Sequence, residues 1–116
     1  MNSLINVFKI LSDETRLRIL MLLLEGELCV CEIYGILDES QPKVSKALSK
    51  LRDLDIVRDE RKEKFVYYSL NKENGLVIEI LNSIKEKIDL YPQLKADKEN
   101  IYMKDEYLKS CSLNKK

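Results

Sequence analysis

Apolar positions recur at helical spacing over most of the chain and alternate in one stretch. Leu4, Val7, Phe8 and Leu11 predict a short first helix with one packing face. Ser12 interrupts it and is expected to cap a second helix, with Asp13 and Glu14 at the end where carboxylates offset the helix dipole. That helix should run to about Glu25 and stop at Gly26. Leu17, Ile19, Leu20, Met21, Leu22, Leu23 and Leu24 make it apolar nearly all round, the pattern of a central helix covered on most sides. A third helix, about Cys29 to Leu37, carries Ile33, Ile36 and Leu37 on one face and breaks at Asp38-Glu39. Ser40 caps the next, Gln41 to about Arg52, with Pro42 tolerated in the first turn where a backbone donor has no partner anyway. Val44, Ala47, Leu48 and Leu51 form its buried stripe. Pro42, Lys43, Ser45, Lys46, Ser49 and Lys50 form the opposite face.

The pattern then changes. Ile56-Val57-Arg58 and Phe65 to Leu70 are rich in β-branched and aromatic residues, and the charged run Asp59 to Lys64 between them predicts a hairpin tip. A last strong helix is expected from near Glu73 to before Pro92, with Leu76, Val77, Ile80, Leu81, Ile84 and Ile88 in one stripe. Residues after Leu94 have weak periodicity and alternating charge. The expected organisation is one domain over 1–92 and a polar, partly helical or mobile tail over 93–116, without repeats or a low-complexity linker. Two short helices joined by a tight turn and followed by a hairpin make a winged helix-turn-helix, mainly α with a two-stranded β-wing.

Composition narrows the chemistry. The chain has 116 residues, no His and only three Gly. Catalysis through histidine, histidine-rich zinc sites and glycine-rich phosphate loops are therefore excluded, and no nucleophile-base pair is visible, so an enzyme is not expected. The longest apolar run, Ile19 to Leu24, is too short to span a bilayer, and Met1 to Ile5 lacks a signal-peptide pattern, so a cytoplasmic protein with no membrane partner is expected. In that reducing compartment the three cysteines should be free thiols.

The net charge is zero, yet its distribution is uneven. From Ser40 to Arg52 there are four cations, Lys43, Lys46, Lys50 and Arg52, and no acid. With Ser45 and Ser49 on the same face as the lysines, the helix backbone can approach a major groove while hydroxyls and lysines reach phosphates or base edges. Arg58, Arg61, Lys62 and Lys64 add a cationic spot at the wing, reduced to +1 by Asp59, Glu60 and Glu63. A solvated basic face serving a module that binds protein only is the alternative; the position on the second helix of a helix-turn-helix, followed at once by a wing, favours double-stranded DNA. No cofactor is expected for DNA binding.

Four segments occur in an order that is specific: Leu11 to Leu20 (LSDETRLRIL), Gly26 to Glu32 (GELCVCE), Ser40 to Leu48 (SQPKVSKAL) and Val66 to Leu70 (VYYSL). They closely resemble the ArsR/SmtB family of winged-helix metalloregulators over about residues 3 to 90. The resemblance implies a homodimeric transcriptional repressor that leaves its operator when an inducer binds. It places the recognition helix at Gln41 to Arg52, with Gln41, Pro42, Lys43, Ser45, Lys46, Ser49 and Lys50 toward DNA and Arg61 and Lys62 at the wing. It builds the dimer surface from the first and last helices, through Leu4, Phe8, Leu76, Ile80, Ile84 and Ile88. Ala47 departs from the pattern, since many members carry His there.

Cys29 and Cys31 are the one close thiol pair. An (i, i+2) pair in a regular helix points to widely separated sides, so both hold one ion only where the backbone departs from helix. Such a distortion would pass through a short turn to the recognition helix. Leu28 to Glu32 resembles the metal-binding box of arsenite repressors and of cadmium/lead repressors in that family, which implies arsenite or another thiophilic metal(loid) as inducer. Arsenite repressors of that type carry a further Cys where this chain has Tyr34. Cys111 is the only other thiol, and either completes the site or is a tail thiol without a role. A two-thiolate site, or an inducer with two exchangeable positions such as a methylated trivalent arsenical, is a further option; cadmium, lead and zinc also suit thiolates. A redox sensor that pairs Cys111 with a box cysteine is the rival within the same fold.

Overall fold

The structure, a computed structural model, describes the backbone of residues 2–114 and the side chains of residues 4–109. In chain order the elements are α1 (Asn2–Leu11), α2 (Glu14–Leu23), β1 (Leu28–Cys29), α3 (Val30–Leu37), α4 (Gln41–Asp53), β2 (Val57–Lys62), β3 (Phe65–Leu70), α5 (Gly75–Glu86), α6 (Pro92–Glu99) and α7 (Lys104–Asn114). Short 3-10 turns at Ile88–Leu90 and Asn100–Met103 flank α6. No described helix is long and apolar enough to cross a membrane.

The core forms around α2, where Ile19, Leu20 and Leu22 are closed off from solvent by Ile33 of α3, Val44, Leu48 and Leu51 of α4, and Val77 and Leu81 of α5. This explains why α2 is apolar on nearly every side. The helix starts one residue later than the serine signal suggests. Asp13 is the N-cap, accepting from Arg16 N at 2.9 Å, while Ser12 Oγ turns back to donate to Lys9 O and closes α1. A carboxylate offers the helix end both a hydrogen bond and a charge, which a hydroxyl cannot.

The sheet differs more. It has three antiparallel strands in the order β1-β3-β2, because Leu28 pairs with Tyr68 and Cys29 with Tyr67. A two-residue strand has no periodicity to read, so only its partner reveals it. The hairpin is also longer than expected: β2 runs to Lys62 opposite Phe65, and the turn is Glu63-Lys64 with Glu63 at φ 57°. The charged run Asp59 to Lys62 is the strand's solvent-exposed length rather than loop. Asn74 caps α5, with Glu73 left before it.

From Pro92 to Asn114 the described chain is mostly helical, and α6 and α7 fold back onto the domain. Asp97 of α6 is buried and takes a two-pronged ion pair from Arg18 of α2, Nε to Oδ2 and Nη2 to Oδ1, both 2.8 Å. Gln93 supports the same carboxylate at 3.0 Å. That carboxylate holds the Arg18 guanidinium above its ordinary pKa against the opposing effect of burial. α7 lies on α3 where α3 has a glycine: a Cβ on Gly35 would stand 2.3 Å from Tyr107 Cγ. Gly35 is therefore required by the close approach of an aromatic ring, not by backbone angle.

Candidate nucleic-acid interface and thiol site

The helix pair α3–α4 is joined by Asp38, in the left-handed conformation at φ 56°, then Glu39 and Ser40. Ser40 Oγ accepts from Lys43 N at 3.4 Å and starts α4. Arg18 holds this turn from behind. Its Nη2 donates to Leu37 O at 3.0 Å and its Nη1 to Glu39 at 3.3 Å, and Glu39 in turn pairs with Lys43 at 3.1 Å. One buried guanidinium thus ties α6, the core helix α2 and the turn before α4 together. Sequence reading missed this role, since nothing local marks Arg18 as buried or Asp97 as its partner.

On α4, Gln41, Pro42, Lys43, Lys46, Ser49 and Lys50 are exposed on the outward face and Ser45 is half-buried beside them. Among the described residues, no ion pair involves Lys46 or Lys50. Arg52 instead turns to Asp59 at 3.3 Å and ties α4 to β2. The wing cations are more engaged than those of α4. Arg61 donates to Glu63 O at 3.5 Å within the hairpin, Lys62 pairs with Glu27 at 2.9 Å and sits 5.7 Å from the Tyr67 ring centre, and Arg58 pairs with Glu73.

The two box cysteines straddle the point where strand becomes helix. Cys29 ends β1 in extended conformation (φ −87°, ψ 168°) and is the N-cap residue of α3, while Cys31 lies in the first turn. The pair is therefore not an (i, i+2) pair within regular helix. Both are buried and share one cluster with Tyr34, Phe65, Tyr67 and Leu108. Glu32 closes the helix start by accepting from Cys29 N at 2.9 Å. The Cys-x-x-Glu spacing has the form of a capping box and could have announced this role. Burial pushes the Cys29 thiol above its ordinary pKa, with the Glu32 charge adding to the effect. Cys29 is a free cysteine, whereas Cys31 is disulfide-bonded, so the free state expected of all three cysteines is corrected for Cys31. The state of a cysteine depends on redox poise and also on which sulfurs the fold brings into reach. Cys111 has a side chain outside the described residues. Among the described residues no group of three or more His, Cys, Asp and Glu is placed to hold a metal ion.

On α1, α5 and the 3-10 turn that follows α5, Leu4, Phe8 and Leu76 are 38%, 54% and 40% exposed, while Ile80, Ile84 and Ile88 are half-buried. The first three leave apolar surface exposed to solvent in the single chain.

Comparison with known proteins completes the picture. Residues 13–59 match the family described as "Bacterial regulatory protein, arsR family". A cadmium resistance transcriptional regulatory protein, CadC, of Listeria innocua is 39% identical over 90 residues, covering 77% of this chain and 71% of that protein. The chain belongs to the arsR family. The arsenical resistance operon repressor of Escherichia coli K12 is 52% identical over 68 residues, 58% of each chain, so the match spans a little over half of that relative. Members of the arsR family are transcriptional regulators and not enzymes. The structure resembles a homodimeric winged helix-turn-helix DNA-binding domain from Mycobacterium bovis, a possible ArsR-family regulator, with a TM-score of 0.65 and 26% identity over 76% of this chain and 80% of that one. The winged helix-turn-helix fold agrees with the fold class expected from the sequence.

Proposed function

We propose that the chain is a repressor that binds operator DNA as a homodimer through α4 and releases it when a trivalent arsenical, or another thiophilic metal(loid), is held by Cys29 and reduced Cys31. The observation that carries this reading is the break at Cys29. The strand-to-helix change lets two thiols share one cluster at the start of the helix pair, where ligation would strain α3 and, through the Leu37–Glu39 turn, α4. With Cys29 and Cys31 as the pair, the donor set suits an ion satisfied by two thiolates, such as a methylated trivalent arsenical, unless Cys111 supplies a third. The E. coli and Listeria relatives, named for arsenical and cadmium resistance, support a thiophilic inducer. Homodimerisation through Leu4, Phe8, Leu76, Ile80, Ile84 and Ile88 is supported by the exposed apolar surface of α1 and α5 and by the homodimeric M. bovis neighbour. Two-fold symmetry would set the α4 helices about 34 Å apart, one helical turn of DNA. Gln41, Lys43, Lys46, Ser49 and Lys50 would face the groove, with Pro42 and Ser45 beside them and Arg61 and Lys62 at its edge.

The disulfide-bonded state of Cys31 favours a second reading, in which oxidation pairs a box cysteine with Cys111 and releases DNA without any metal. One experiment separates the two. Reduced protein on a duplex is titrated anaerobically with arsenite, methylarsenite, cadmium, lead and zinc, and separately with an oxidant. Release by a thiophilic species that is lost in Cys29→Ser and Cys31→Ser supports the first reading. Release only by oxidant, lost in Cys31→Ser and Cys111→Ser, supports the second. Release by arsenite from the Cys29→Ser, Cys31→Ser double variant overturns the cysteine box as sensor.

A further inference from the structure

The outward face of α4 continues into one further charged feature, an open groove where the first turn of α2 meets α4. Arg16 lines it from α2, and Lys43, Lys46 and Lys50 line it from α4. The last three recur at i, i+3 and i+7, so they form one stripe. Ala47, from the edge of the buried stripe, also lines the groove. Asp13 and Asp53 are the acids on its rim, but Asp13 is occupied as the α2 cap and Asp53 lies 3.9 Å from Arg52.

Arg16 forms a loose ion pair with Asp13 but is left with an unsatisfied donor. Its Nε is buried and has no hydrogen-bond partner, and the Asp13 carboxylate oxygen at 3.7 Å is beyond hydrogen-bond reach. Buried donors of that kind are rare in native proteins. A cation in the first turn of a helix also opposes the helix dipole, so stability of α2 does not call for an arginine there. A planar guanidinium beside two lysines without ion pairs is suited to an oxyanion presented from solvent, and for phosphate it offers a two-pronged grip that lysine lacks.

We infer that this groove takes a backbone phosphate of duplex DNA, with Arg16 as a contact outside the helix-turn-helix pair that positions α4 in the major groove. The inference rests on the DNA-binding reading and adds a residue to it. A phosphate contact carries no sequence information, so its test needs no operator.

The experiment measures binding of the reduced full chain to a mixed-sequence duplex of about 30 base pairs across a salt series. Arg16→Gln is expected to weaken binding roughly tenfold and to flatten the slope of log K against log salt by about 1 per protomer. Arg16→Lys should keep most of the slope while losing affinity, and decides the matter if the Gln variant fails to fold by circular dichroism. Parent-like binding by a folded Arg16→Gln while Lys50→Ala binds weakly overturns the inference and leaves the DNA reading standing. Weakened binding with an unchanged slope also overturns it, because that marks a structural role. Parent-like binding by both variants removes the DNA reading and the inference together. Titration with inorganic phosphate alone separates the sources: a shift of the Arg16 Nε–H resonance at phosphate concentrations below those that displace duplex reassigns the groove to a free anion and overturns the inference.

Discussion

The outward face of α4 and the cysteine pair at the start of α3 sit on two helices joined by one turn, yet their chemistry is kept in opposite states. The α4 lysines stand in solvent, with Lys46 and Lys50 in no ion pair among the described residues. The box cysteines are buried, at 1% exposure for Cys29, the free thiol, and 6% for the disulfide-bonded Cys31, beneath the aromatics of β3 and Leu108 of α7. A charged surface that meets a polyanion must be hydrated beforehand and sheds counterions on contact. A thiol that must ignore abundant solutes is better kept dry, and burial also keeps Cys29 protonated over a wider pH range. Between the two lies Arg18, which holds the turn through Leu37 O and Glu39.

The largest test of this contrast removes the anchor of that turn. Asp97→Ala leaves the Arg18 charge buried without its two-pronged partner and is expected to cost about 3 to 5 kcal/mol of unfolding free energy, whereas Lys50→Ala should change it by less than about 0.5 kcal/mol. Denaturant unfolding of the two variants measures both. Equal losses would dissolve the distinction between a buried, structural charge network and an exposed, functional one.

A smaller effect is expected where α7 seats on α3. Gly35→Ala places a methyl group against the Tyr107 ring and should destabilise by about 1 to 3 kcal/mol, with Tyr107→Ala relieving part of the loss. The same change should loosen the cover over the thiols. Because the raised pKa of Cys29 lowers its thiolate fraction near neutral pH, alkylation by iodoacetamide in the parent should be slower than for a free thiol and should speed up as pH rises toward that pKa. In Gly35→Ala it should be faster than in the parent at every pH in this range. An unchanged rate would show that α7 does not guard the site.

The smallest effect concerns the start of the recognition helix. Ser40→Ala removes the acceptor for Lys43 N and should cost about 1 kcal/mol of stability. Duplex binding should weaken with it, and far-ultraviolet circular dichroism with a duplex titration checks both. A stability loss without any loss in binding would separate helix capping from groove docking.

Legibility in the sequence followed the range of the interactions. The α1 and α2 helices, α4 with its buried stripe Val44, Ala47, Leu48, Leu51, the β3 strand and most of α5 were readable because each rests on contacts repeated within a few residues. The basic face of α4 was readable for the same reason. The site at the cysteines was readable as residue types, and its Cys-x-x-Glu spacing marks a helix start, but the pairing of Cys29 with β3 has no local signal.

What the sequence by itself determined is the set of amphipathic elements, their order, and hence a winged helix-turn-helix with a cationic second helix and a cysteine pair before it. Local periodicity and capping are written in neighbouring residues and survive without knowledge of the rest. Only the tertiary structure decided that Leu28-Cys29 is a strand, that Asp97 lies 2.8 Å from Arg18 across 79 positions of sequence, and that Tyr107 rests on Gly35. Each is a contact between segments with no shared local signal. A buried ion pair or a ring on a glycine is specified by where two backbones meet in space, and that meeting is a property of the packed chain rather than of either segment alone.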